Sequence, residues 1–157
     1  MRRVRRAGIA LLGLVLVAST TSCASETESY CAELEEQKQT LTDLATGSTD
    51  PSGNVLEETL EVFQTLREAA PGDIEDEWST LVFAYEGLAD AFEAAGTTPG
   101  EFDPGSPPEG VSDAEAERIE GAAAELRSQR VVKAADGLQQ HARDVCKVDL
   151  GLSSGGG

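Results

Sequence analysis

The side chains that most often carry catalysis or metal binding are thinly supplied in this 157-residue chain, carboxylates excepted. His141 is the sole histidine. A serine-hydrolase triad or a catalytic zinc site of the usual kind must use it. No Asp or Glu stands at a spacing that makes a ligand set with it, so a histidine at the surface or at the boundary of an apolar face is expected. The carboxylates cluster as Glu33, Glu35 and Glu36, as Glu57, Glu58 and Glu61, as Asp73, Glu75, Asp76 and Glu77, and as Asp113, Glu115 and Glu117. Glycoside hydrolysis needs two acids in opposed environments within a cleft. These acids fall mostly on solvent faces of helices, and no pair is singled out. A calcium loop needs alternating oxygen ligands around a glycine and then a glutamate. Neither Asp73–Trp78 nor the Pro/Gly-rich stretch near residue 100 has that pattern. No catalytic residue, metal ligand or cofactor is assigned, and a non-enzymatic protein is expected.

Three cysteines remain: Cys23, Cys31 and Cys146. The first closes an N-terminal segment with its own composition. Arg2, Arg3, Arg5 and Arg6 form a basic head, Ala7 to Ala18 is apolar, and Ser19 to Ser22 are small hydroxyl residues. That is the layout of an export signal. The apolar run is shorter than the roughly 20 residues a membrane-spanning helix needs. Residues Thr20, Thr21 and Ser22 before Cys23 resemble the lipobox of bacterial lipoproteins, whose cysteine becomes the acylated N-terminus. Thr20 stands where a leucine or similar aliphatic residue is usual. The resemblance implies a signal peptide over 1–22 and a covalent lipid on Cys23. The alternative is ordinary secretion with cleavage after Ser19 or Ala24. With Cys23 lipidated, Cys31 and Cys146 are left to form one disulfide, which persists in the oxidising compartment that export reaches.

Removing residues 1–22 removes four arginines and no acid. Eight basic residues then face 29 acidic ones, a net charge of about −21. Such a surface repels nucleic acid and anionic lipid headgroups alike. A nucleic-acid role is excluded, and membrane attachment is expected through the anchor rather than through the protein face.

Period-2 runs and hairpin signals are missing, and the apolar residues recur at helical spacing. Five helical stretches are predicted, at about 27–45, 55–70, 73–95, 113–128 and 131–146. The first is expected to be capped by Ser25 with Glu28 and to bury Tyr30, Leu34, Leu41 and Ala45, with Cys31 on the same face. The second, capped by Asn54 and Glu57, carries Leu56, Leu60, Phe63 and Leu66. The third aligns Ile74, Trp78, Leu81, Val82, Tyr85, Leu88, Ala89 and Phe92 and stops at Gly96. Residues 46–53 and 97–111 read as loops, the latter dense in proline and glycine. Ser112 with Glu115 is placed to cap the fourth helix, lined by Ile119, Ala122, Ala123 and Leu126. The apolar phase changes near Ser128, then resumes with Val131, Val132, Ala135, Leu138, Ala142, Val145 and Cys146. A kink or break is expected there. Residues 23–150 form one acidic all-α bundle domain, and a flexible Ser/Gly tail is expected from Leu150 through 151–157.

The disulfide constrains how the helices run. Cys31 opens the first helix and Cys146 ends the last. In an up-down bundle those two ends meet only after an even number of passes. Four passes are therefore expected, with residues 113–146 making one kinked pass.

Two aromatic residues fall outside the predicted core. Phe83 lies off the main stripe of the third helix, beside Ser79, Gly87, Asp90 and Ala94. It is either a docking knob or is covered by the fourth helix at Gly121 and Ala122–Ala124. Phe102 in the long loop is either a partner contact or a lid on the bundle end.

Cys23 at the processing site, Tyr30-Cys31 opening the first helix and the ending His141-Ala-Arg-Asp-Val-Cys146-Lys-Val-Asp149-Leu150 together resemble a group of small actinobacterial cell-envelope lipoproteins of unknown function. In that group Lys147 is replaced by a small residue, often glycine. The resemblance implies a helical fold closed by a disulfide and a place at the extracytoplasmic face of the membrane, and it implies no activity. The expected role is a binding or interaction module whose partner is an envelope protein or a ligand. A small-ligand carrier with a pocket between helices is the first alternative, and a filled core would reject it. An envelope-associated enzyme is the second, and it requires a pair of perturbed acids.

Overall fold

The computed structural model describes residues 22–46 and 55–150; the side chains of 22–25, 45 and 46 are not part of that description. Among the described residues the secondary structure is helical throughout: α1 (Ser22–Thr46), α2 (Val55–Ala69), α3 (Glu75–Ala95), α4 (Asp113–Glu125), α5 (Gln129–His141) and one turn of π-helix (Ala142–Cys146). The chain is an all-α bundle with one disulfide, joining Cys31 to Cys146. Residues 1–21, where most of the export signal is expected, residues 47–54, with the expected cap Asn54, and residues 151–157 lie outside the described residues.

α1 begins at Ser22, one turn before the predicted start. Ser25 therefore lies inside the helix and is not its cap. Residues 22–26 contain neither proline nor glycine, so nothing stops the helix from propagating back through them. α2 stops before Pro71, and the 71–74 turn is closed by Ile74 N–H donating to the Pro71 carbonyl at 3.0 Å. α3 ends as expected on Gly96, which adopts the left-handed conformation (φ 62°) and donates to the carbonyls of Glu93 and Phe92. The capping box opening α4 is present: the Glu115 N–H donates to the Ser112 hydroxyl, and the Ser112 N–H donates to the Glu115 carboxylate. Those Ser112 donors hold the Glu115 carboxyl below the usual carboxylate range.

The expected interruption near Ser128 is a break between two helices. α4 ends at Glu125 rather than 128, and Ser128 caps α5 by accepting from the Val131 N–H at 3.3 Å. The Glu125 carboxylate straps the joint, accepting from Arg130 at 2.7 Å and from the Ser128 hydroxyl at 3.1 Å. The two helices lie end to end along α3. Ile119 of α4 packs with Ala91 and Phe92 near the C-terminus of α3, while Gly137 of α5 sits against the Glu77 side chain near its N-terminus. Residues 113–146 thus make one broken pass antiparallel to α3, and the four-pass geometry that brings Cys31 to Cys146 is realised.

The core is split. The larger cluster runs from Tyr30, Leu34, Leu66, Trp78 and Leu138 near the disulfide to Leu41 and Phe63 further along the bundle. A smaller one at the other end holds Ala91, Phe92 and Ile119, with Leu56, Leu88 and Phe102 packed against it. Three expectations fail in the last pass. Val132 is exposed, because α5 presents Val131, Ala134 and Leu138 to α3 instead, and Val145 is exposed in the π-helical turn, which buries Ala142. Leu150, expected in a flexible tail, is 0% exposed and belongs to the core with Val148. The chain reaches it through Lys147, the one non-glycine with positive φ (60°) among the described residues. The Val148 N–H then donates to the Ala142 carbonyl at 2.9 Å, and Gln139 donates to the Asp149 carboxylate at 3.1 Å.

Candidate functional sites at the two ends of the bundle

At the disulfide end, α1, α3 and the last pass converge on a buried aromatic and polar group. The Cys31 and Cys146 Cα atoms are 5.1 Å apart, within the range a disulfide needs. Next to Cys31, the Tyr30 hydroxyl accepts a hydrogen bond from the Trp78 indole at 3.0 Å. Burial pushes the Tyr30 phenol up to about 12, with the nearby Asp73 charge adding to the rise against the lowering effect of the Trp78 bond. It stays protonated across the physiological range.

His141 sits at the boundary of the apolar face, one of the two positions expected for it. Its side chain is only 9% exposed, and its ring meets the Tyr30 ring edge-on at 5.7 Å. The 71–74 turn supplies Asp73, whose carboxylate lies 3.7 Å from Nε2. Nδ1 is buried without a hydrogen-bond partner. That Asp73 stands 68 positions away along the chain hides this neighbour from any spacing rule; only the return of the last pass to the start of α3 brings them together. The cluster is tightly covered: Tyr30 is fully buried and Trp78 nearly so. The Tyr30 hydroxyl and the Trp78 indole point into packing, and the Asp73 carboxylate is exposed.

At the opposite end the structure has a recess. It lies between α1, α2 and α3, is lined by Leu41, Leu56, Thr59, Phe63, Tyr85 and Leu88 among others, and is roofed at one point by Pro99. Its volume is about 290 Å³. The Thr59 hydroxyl, one of its few polar groups, is occupied in donating to the Val55 carbonyl at 2.6 Å. Phe63 and Tyr85 form an aromatic wall, edge to face at 5.0 Å, and burial raises the Tyr85 phenol. A pocket between helices is the first alternative in the sequence reading, which does not say where it lies. The available signal was that apolar residues flank the 46–53 loop on both sides, Leu41 and Leu44 before it and Val55 and Leu56 after it.

The two aromatic candidates separate. Phe102 folds inward and meets Phe92 edge-on at 5.8 Å, the lid arrangement. Phe83 stays 63% exposed. The fourth helix does not cover it: Gly121, the close-packing residue expected opposite it, has open space around its Cα. Gly87, one helical turn on from Phe83, is equally open. A second shallow depression between α3 and α5 mixes Asp76 and Glu77 with Arg130 and Lys133.

Among the described residues no group of three or more His, Cys, Asp or Glu is placed to hold a metal ion. No helix among them is long and apolar enough to cross a membrane. Cys23 lies in the first turn of α1, and its side chain is outside the description. No family model, curated protein or solved structure matches the chain.

Proposed function

We propose that the protein is an exported lipoprotein, acylated at Cys23 and held at the extracytoplasmic face of the membrane, and that it works there as a non-enzymatic binding module. It takes its place with the small actinobacterial lipoproteins it resembles. The observation that carries this reading is the continuity of α1 from Ser22 through Cys31. The two cysteines stand eight positions apart along the helix, about 12 Å at 1.5 Å per residue. A lipid on Cys23 then holds the disulfide-closed end toward the membrane on a rigid tether. The recess, Phe102 and the open end face outward. The strong negative charge of the mature chain supports attachment by lipid alone, since anionic headgroups repel the protein face.

Phe83 is the favoured contact for a protein partner, a large exposed ring beside Gly87, Asp90 and Ala94. Labelling cells with radioactive palmitate tests the anchor: label on the wild type, none on Cys23→Ala, and release of the variant into the medium are expected. A photo-crosslinking residue at position 83 tests the module. It should capture a specific envelope protein that the same probe at exposed Glu68 does not. Equal label on Cys23→Ala would leave a secreted protein, and no position-specific capture would remove the interaction reading at Phe83.

A further inference from the structure

The recess occupies the seam in the split core. Leu41 and Phe63 on its walls belong to the larger cluster, and Tyr85 packs against that cluster. Leu56 and Leu88 pack against the smaller one. Among the described residues the two clusters thus adjoin a concave apolar recess that is open on one side. A packed interior fills such gaps, because the lining atoms otherwise lack partners on one side. We infer that this gap is a binding site for a small, uncharged, aromatic or otherwise apolar molecule, which completes the core when it binds.

Size, lining and charge define the ligand. An apolar cavity of about 150 Å³ lined by Leu, Ile and Phe suffices to hold benzene. The recess is about 290 Å³, so one or two fused or linked rings fit. The Thr59 hydroxyl already donates to Val55, so the walls make little polar demand on the ligand. The Phe63 and Tyr85 rings favour an aromatic guest, which they meet edge-on or offset. Among the described residues no charged one lines the recess. The exposed Glu57 and Glu58 stand one and two residues beyond Leu56 at the start of α2. Together with the net charge of the chain they repel organic anions such as fatty carboxylates.

This inference deepens the binding-module reading and rests on it, but the two fail separately. Palmitate labelling and the position-83 crosslink report on anchor and partner; neither depends on the recess.

The test uses the full-length chain carrying Cys23→Ser, which bears no lipid of its own, and the neutral probe N-phenyl-1-naphthylamine. Its fluorescence should rise saturably with one probe per chain, and naphthalene should displace it while laurate does not. Val55→Phe, which fills the recess from α2, should weaken binding at least tenfold. Leu44→Phe fills it from α1 and serves as a second blocking variant. Thr59→Val should bind as well as wild type or better, and Phe83→Ser should bind as wild type. A measurement on the wild type alone guards against misfolded variants: saturating naphthalene should raise the melting temperature, as a ligand of the native state must. Absence of both saturable binding and this shift overturns the proposal. So does binding that persists in folded Val55→Phe and Leu44→Phe, or that falls equally in Phe83→Ser, since the probe is then held by the outer surface.

Discussion

The two ends of this bundle solve the same packing problem in opposite ways. At the disulfide end, four chain segments meet: the start of α1, the 71–74 turn with the start of α3, the end of the last pass, and the strand of chain that carries Val148 and Leu150 inward. Large rings fill the space, a covalent bond ties the first helix to the last, and the indole of Trp78 finds its acceptor. Toward the far end the cluster is small, and a recess of about 290 Å³ is lined by residues of both clusters. Stability is concentrated at one end and spare volume at the other. That division is what the proposed anchor at one end and the proposed binding site toward the other would use.

The most direct way to break the comparison is to remove the covalent tie. Cys31→Ser with Cys146→Ser opens a loop whose ends are 115 positions apart. Chain entropy assigns such a loop about 4–5 kcal/mol. That is a large share of the roughly 5–15 kcal/mol typical of a domain. A marked fall in melting temperature and in urea midpoint is expected. An unchanged melting point, or two free thiols in the oxidised wild type, would falsify the assignment of the disulfide end as the stable one.

Tyr30→Phe probes the same end without touching the bond. It leaves the buried Trp78 indole N–H without its acceptor. A buried donor stripped of its partner costs about 1–3 kcal/mol. Chemical denaturation of the variant with its disulfide intact measures this. A loss below the error of the method would mean that the indole finds another partner and that the cluster is looser than its packing implies.

How far these ends were legible in the sequence follows from their chemistry. The α3 stripe from Ile74 to Phe92, the Gly96 stop and the Ser112–Glu115 cap depend on local spacing, the Cys31–Cys146 pairing on setting Cys23 aside, and the four passes on that pairing, and each was readable. The break at Ser128 was readable as a change of phase, but its exact bounds depend on how Glu125 recruits Arg130 and Ser128 across the joint. Leu150 was not readable, because burial there requires Lys147 to enter the left-handed region and turn the chain back. The His141–Asp73 neighbours and the recess were not readable either. Both arise where segments distant in sequence approach, and the recess is a property of what the side chains fail to fill.

Phe102→Ala carries the comparison to the far end. Removing a fully buried phenylalanine costs roughly 3–5 kcal/mol. Phe102 is only half-buried and rests on Phe92, so a loss of about 1–2 kcal/mol is expected, less than that of the disulfide variant. If this lid proves as costly as the disulfide, stability is spread evenly and the two-ended description fails.

The smallest effect, and the only one expected to raise stability, concerns Lys147. A side chain in the left-handed region costs about 1–2 kcal/mol, and Lys147 holds φ at 60°. Lys147→Gly removes that cost. It also frees the unfolded chain, which gives part of the gain back, and it deletes the Lys147 ammonium donating to the Asp144 carbonyl at 2.6 Å. That bond is exposed and adds little in water. The balance favours glycine by about 0.5 kcal/mol, read as a rise in the urea midpoint with an unchanged slope. The gain should vanish in the Cys31→Ser, Cys146→Ser background if the turn at 147 is held in place by the neighbouring disulfide. If it persists there, Val148 and Leu150 anchor the turn by their burial alone, and the closed end owes its order to the core as much as to the covalent bond.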